Sequence, residues 1–196
     1  MNFNAARPRS RQSGVTMIEL IVTMSIAGIL LGMGVSSYKY VTRSNRSSGE
    51  INALLGDMQF ARYEAVKEGL NVQICPTASA TTTTCDPSTP PTWSEGWIVL
   101  SNPASGTAGT AVVLRRQLPF SSFNSTDTLT SLTANQIVTF NREGFSPGLT
   151  AVAVFTLHDS TSTASYTRCL MLGVSGNLAT ALATSQSGQT IWGASC

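Results

Sequence analysis

The sequence predicts an α+β protein, in which one long N-terminal helix packs its second half against antiparallel β-sheets. Three observations predict it. Residues 15–35 form an almost uninterrupted apolar run. Ile51, Leu54, Leu55, Met58, Ala61 and Ala65 then recur at helical spacing. Beyond residue 70 that period disappears, and short runs rich in Val, Ile, Phe and Leu alternate with Gly, Pro, Ser, Thr and Asn. At 196 residues the chain suits a single domain with an attached segment.

The first element is the apolar run VTMIELIVTMSIAGILLGMGV, long enough to cross a bilayer as a helix, which needs about 20 residues. Arg7, Arg9 and Arg11 precede it, and Lys39, Arg43 and Arg46 follow. A secretory signal peptide would have a shorter apolar core and a small-residue cleavage site behind it. Neither is present here, so the run reads as a retained membrane span. Basic residues on both flanks leave the positive-inside rule ambiguous by itself. All four cysteines lie beyond the span, where an oxidising periplasm would allow disulfides. That places the short basic leader inside and the long domain outside. Glu19 is the anomaly: an ionised carboxylate costs about 2.5 kcal/mol or more near mid-membrane and less near an end. It is either an interfacial carboxylate or one meant for a specific cation.

The segment Gly14-Val15-Thr16-Met17-Ile18-Glu19-Leu20 resembles the prepilin signature of type IV pilins and pseudopilins. A short basic leader ends in Gly14, and Thr16, an aliphatic pair, Glu19 and the apolar helix follow in order. Val15 stands where that family usually has Phe. The resemblance implies a type IV pilin-like fold, with a leader over 1–14 removed after Gly14 by a prepilin peptidase. It also implies methylation of the new amino terminus at Val15. Glu19, the fifth residue of the mature chain, would pair with the terminal amine of a neighbouring subunit during assembly.

Next comes the amphipathic half of the helix, residues 43–68, following a transmembrane and filament-core half at 15–42. Glu50, Asp57, Arg62, Glu64, Lys67 and Glu68 fall largely off its apolar stripe, which reads as core packing. No proline lies between Pro8 and Pro76, and Gly69 is the expected stop. A continuous helix over 15–68 would be about 80 Å long.

Residues 69–196 are expected to form a β-rich periplasmic domain. Strands are predicted at 71–75, 97–100, 111–118, 136–140, 151–157 and 168–174, with a last one near 190–193. Loops are predicted at 76–92 and 101–110. Ala61-Arg62-Tyr63-Glu64-Ala65-Val66, Val72-Gln73-Ile74-Cys75 and Trp93-Ser94-Glu95-Gly96-Trp97 resemble the GspH/FimT branch of minor pilins. So do Phe140-Asn141-Arg142-Glu143-Gly144 and the stretch from Cys169 to Gly176. Trp93 and Trp97 read as anchors of a turn against the core.

Four cysteines allow three pairings. Locality favours Cys75 with Cys85, which closes a short ring worth about 2–3 kcal/mol, and leaves Cys169 with Cys196. A Cys₄ zinc site is the rival reading, weakened by the lack of any C-x-x-C pair. No metal or other cofactor is expected.

The charge balance narrows function. Charged residues make up 11% of the chain and the net charge is +2. Removing the three leader arginines from twelve basic residues leaves nine against ten acidic ones. A near-neutral body is a poor nucleic-acid binder. The single histidine, His158, reads as a strand-end residue, and no catalytic site can be named, so an enzyme is not expected. Arg115-Arg116 is too small to serve as a nucleic-acid patch.

The leading expectation is a structural subunit, a minor pilin near the pilus tip. It would begin as a single-pass inner-membrane protein and end in the pilus at the cell surface. Its partners would be the prepilin peptidase, other minor pilins, the major pilin and the inner-membrane assembly platform. FimT-like members of the branch bind DNA during natural transformation, an activity associated with a G-R-x-R-like turn. Here the corresponding turn reads Gly176-Asn177-Leu178-Ala179, and residues 171–196 contain no Lys or Arg. Nucleic acid is therefore not expected as a partner. A type II secretion pseudopilin is the third reading, built on the same plan.

Overall fold

A computed structural model of the chain describes residues 14–79, 81–86, 93–102, 111–123, 125–131, 137–183, 190–192 and 194–196. The chain divides into two units, Met1–Val41 and Thr42–Cys196. One helix, α1, runs Met17–Glu68 and stops one residue before Gly69. In the first unit its described side chains, from Met17 to Leu31 and from Tyr38 to Val41, are exposed. Among the described residues no helix is long and apolar enough to cross a membrane. The span expected over 15–42 includes residues 33–37, whose side chains lie outside the described residues. The expected leader falls almost wholly outside them as well, with Gly14 its only described residue.

The second unit contains two four-stranded antiparallel sheets and a small hairpin. The first sheet combines β1 (Asn71–Pro76), β2 (Trp97–Asn102), β3 (Val112–Gln117) and β5 (Val138–Phe140), in the order β3-β2-β1-β5. The second combines β4 (Thr128–Ser131), β6 (Ala153–His158), β7 (Arg168–Leu172) and β8 (Leu178–Leu182), in the order β4-β6-β7-β8. β9 (Thr190–Ile191) pairs with β10 (Ala194–Ser195).

Side-chain alternation along the central strands explains why they read as unbroken apolar runs. Val72 and Ile74 of β1, Trp97 and Val99 of β2, Phe155 and Leu157 of β6, and Leu170 and Leu172 of β7 face one core. Ile51, Leu54, Met58, Ala61 and Ala65 of α1 enter that same core. Trp93 is edge-on to Phe155 at 5.0 Å, and Trp97 edge-on to Phe120 at 6.0 Å, both favoured aromatic geometries.

The opposite faces are covered too. Cys75, Ile98 and Leu100 gather under Cys85 and Val113, while Val154, Cys169, Met171 and Ala181 gather under Ile191 and Cys196. Cys75 is bonded to Cys85, and Cys169 to Cys196, so each disulfide holds a loop or tail over the outer face of one sheet. Loop closure over 10 and 27 residues is worth about 3 and 3.5 kcal/mol respectively by chain entropy.

β4 and β8 are absent from the sequence expectations. Each is an edge strand made mostly of Thr, Ser, Ala or isolated Leu, so its own side chains announce little. β4 is held from outside: Leu129 is buried, and its N–H donates to Ser94 Oγ at 2.8 Å. Asp57 and Arg115 also differ from expectation. Asp57 is buried, accepting from Trp97 Nε1 at 2.9 Å and Arg115 Nη1 at 2.8 Å, and the Arg115 guanidinium lies 4.5 Å over Phe60. Arg115 is thus the partner of a buried carboxylate.

Candidate functional site

The residues singled out for processing and assembly sit where α1 begins. The Glu19 N–H donates to the Thr16 carbonyl at 3.1 Å and to Thr16 Oγ1 at 3.3 Å. Thr16 therefore caps the helix, and Glu19 is its first-turn acid, where the helix dipole favours negative charge. Thr16-x-x-Glu19 has the spacing of a capping box, a helix-start signal legible in the sequence itself. One pair of side chains thus serves both the prepilin-like signature and the helix start. Gly14 has open space around it, Val15 is 70% exposed, and Glu19 makes no ion pair among the described residues. The exposed Met17, Ile18, Ile21, Ile29, Leu30 and Leu31 spread apolar surface around most of the helix, interrupted by Glu19, Thr23 and Ser25. Such a helix asks for lipid or other helices to cover it.

In the second unit a polar collar ties the next stretch of α1 to two loops and to β7. Arg46 Nε donates to Asp127 Oδ2 at 3.0 Å, and its Nη2 meets Oδ1 of the same residue. Arg43 lies 3.9 Å from the buried Asp159. From β7, Arg168 Nη2 donates to Ser44 Oγ at 3.0 Å. Burial pushes the Glu50 carboxyl up to about 7; Asp127 adds to that, while Ser125 and Arg46 oppose it. Burial alone would raise Asp159 also, yet hydrogen bonds from Thr161 and Thr163 and the charge of Arg43 hold it below the ordinary carboxylate range.

Three of the stretches matched by resemblance, those holding Arg62, Gly144 and Gly176, meet at the far end of α1. Gly144 and Gly176 both have positive φ, at 78° and 77°. A Cβ on Gly176 would lie 2.1 Å from the Gly144 carbonyl oxygen, and one on either glycine 3.1 Å from Arg62 Nε. Two turns distant in sequence thus close against each other and against the helix. Similarly, a Cβ on Gly96 would stand 2.4 Å from the Gln117 carbonyl oxygen, which accounts for glycine between the two tryptophans.

His158 ends β6 and shares a 3.3 Å hydrogen bond with Thr167. Among the described residues no group of three or more His, Cys, Asp or Glu could hold a metal ion.

A capped apolar helix with an acid in its first turn, running into a domain of antiparallel sheets, defines a type IV pilin-like subunit. Residues 50–176 match the family described as Type II transport protein GspH, and residues 9–35 match the prokaryotic N-terminal methylation motif. The chain belongs to the GspH family, among the minor pilins and pseudopilins. It is similar to crystal structures of the type IV minor pilin FimU of Pseudomonas aeruginosa strain PAO1 in two space groups. One is 20% identical, with a TM-score of 0.49, covering 71% of this chain and 93% of that one. The other is 21% identical, with a TM-score of 0.49, covering 74% and 90%. No curated protein matches it.

Proposed function

We propose that this chain is a minor pilin that enters a type IV pilus near its tip, where assembly starts. The observation that carries this reading is the helix start: a Thr16-capped first turn that presents Glu19, without an ion pair among the described residues, on a largely apolar exposed helix. A prepilin peptidase cuts after Gly14, and Val15 becomes the methylated amino terminus. Before assembly residues 15–42 hold the subunit in the inner membrane, with the β-rich domain in the periplasm. The assembly platform then transfers it into the filament beside other minor pilins and the major pilin. A neighbour staggered along the filament offers its terminal amine to Glu19. In that drier setting the attraction is less screened than in water, although desolvating both charges offsets part of the gain. The pair acts chiefly as a register device, because a wrong axial placement leaves a carboxylate unpaired among apolar helices.

Two measurements test this. Intact mass of the membrane-extracted protein should lack residues 1–14 and carry one extra methyl. Glu19→Ala should leave expression and cleavage intact but lower the ratio of subunit in sheared filaments to subunit in membranes. An unchanged ratio would sink the assembly role of Glu19. The description of the matched family favours a second reading, a pseudopilin of type II secretion. Under that reading deletion would abolish secretion of exported enzymes and leave surface pili intact.

A further inference from the structure

We propose that the groove beside Trp192 is a binding site for neutral saccharides, in which a pyranose ring stacks on the indole. The groove is a cavity of about 450 Å³, within the range of ligand pockets, walled by Phe145, Val152, Val174 and Trp192, with Ser175 and Asn177 as its polar lining residues. None of its described lining residues is charged. Three other concave sites differ in this respect: one is walled by Arg168, one by Glu64 and Glu68, one by Arg142 and Glu143.

Trp192 is displayed rather than packed. It is 50% exposed, whereas Trp93 and Trp97 are fully buried. Its φ is 53°, a left-handed conformation that a bulky side chain adopts only when its surroundings impose it. The surroundings here are the antiparallel pairing of Ile191 with Ala194 and the anchoring of the tail through Cys196 to Cys169. Ile191 and Cys196 supply the inward contacts with the core under β6 and β7, so the hairpin does not need Trp192 for its attachment.

The floor is built in advance. Phe145 is held by its N–H to Asn141 Oδ1 at 2.8 Å and its carbonyl to the Asn141 N–H at 2.9 Å. The Ser146 N–H donates to the Val174 carbonyl at 2.9 Å, joining that loop to the β7–β8 turn. Gly173 lies under the indole, where a Cβ would meet Cε3 at 3.7 Å. A site fixed before binding loses little ordering entropy when it fills.

The chemistry fits a neutral sugar. An indole face carries partial negative charge and attracts the weakly positive C–H face of a pyranose. Hydroxyls at the ring edge are donors and acceptors that suit the Ser175 hydroxyl and the Asn177 amide. Phosphates, sulfates and carboxylates would meet no counter-charge among the described lining residues. Hexose and N-acetylhexosamine polymers share the C–H face and differ only at the substituents that the polar rim would read.

The experiment uses full-length protein in a zwitterionic detergent without a sugar headgroup. Because the other two tryptophans are buried, acrylamide quenching reports on Trp192. Tetrasaccharides of glucose, galactose, mannose and N-acetylglucosamine are titrated, beside a sulfated one. At least one neutral tetrasaccharide should protect the indole, saturating at ~10 mM or below, and the sulfated one should not. Saccharide-detected saturation-transfer NMR should lose its signal with Trp192→Gly, while the melting temperature stays unchanged because glycine accepts the positive φ. Asn177→Ala should weaken binding about tenfold and alter the preference among the four sugars. No protection by any neutral sugar, equal protection by the sulfated one, or undiminished NMR signal in Trp192→Gly overturns the proposal. So does a Trp192→Gly chain that unfolds, since the indole would then be a packing element. Protection that appears only on mixing with other pilin subunits would make the groove a subunit contact instead.

Discussion

Asp57 is the residue at which helix, sheet and surface charge meet. A buried carboxylate is tolerated because an indole N–H and a guanidinium both donate to it, and hydrogen bonds to charged groups contribute about 1.5–3 kcal/mol each. Asp57→Ala leaves the buried Trp97 N–H without its acceptor, so a loss of about 2–3 kcal/mol in urea unfolding is expected. Arg115→Ala should cost less, since Arg115 is half exposed and water can replace it. Glu50 works in the opposite sense. Its folded value of about 7 lies above the ordinary carboxylate value of 4.5, so between these pH values the folded state holds a proton that the unfolded state has lost. Its contribution is fully present below about pH 4.5 and is lost as pH rises through about 7. Glu50→Gln should therefore flatten thermal stability across that window and raise it at pH 8 by roughly 1 kcal/mol, because a half-buried carboxyl is partly screened by water.

At the scale of elements, the β7–β8 turn and the loop after β5 form one unit with α1 around Arg62. Gly176→Ala forces an L side chain into positive φ, at about 1–2 kcal/mol, and drives its Cβ into the Gly144 carbonyl. The expected loss exceeds 2 kcal/mol, with hydrogen exchange accelerated first in the segments around residues 141–149 and 173–177. Gly148→Ala is the control: nothing lies within 4 Å of its added Cβ, so it should leave stability nearly unchanged. The disulfides act on this scale as well, each covering the outer face of a sheet whose inner face already packs on α1.

For the molecule as a whole, the near-neutral body and the absence of Lys and Arg after residue 170 set its behaviour toward polyanions. Of the arginines in the second unit, Arg43, Arg46 and Arg115 are paired with acids from other elements, so they are poor phosphate contacts. DNA binding in a mobility-shift assay at ~150 mM salt should be weaker than micromolar, because few counterions would be released. Sub-micromolar binding would favour a FimT-like role in DNA binding during natural transformation instead.

What the sequence determined by itself is what depends on neighbours along the chain. The start and end of α1 follow from Thr16, Glu19 and Gly69, its continuity from the lack of proline, and its core stripe from helical spacing. The central strands were legible because both of their faces are buried. Tertiary structure decided the rest. β4 and β8 exist because β6 and β7 offer them hydrogen-bonding edges, which Thr-Leu-Thr-Ser and Leu-Ala-Thr-Ala-Leu do not announce. Asp57 is on the buried side because Trp97, 40 residues away, supplies the donor that makes burial tolerable. Trp192 is exposed because a pairing and a disulfide, not its own preference, set its backbone. Local propensity is a property of adjacent residues, whereas an edge, a buried charge and a displayed ring each depend on groups that only folding brings within reach.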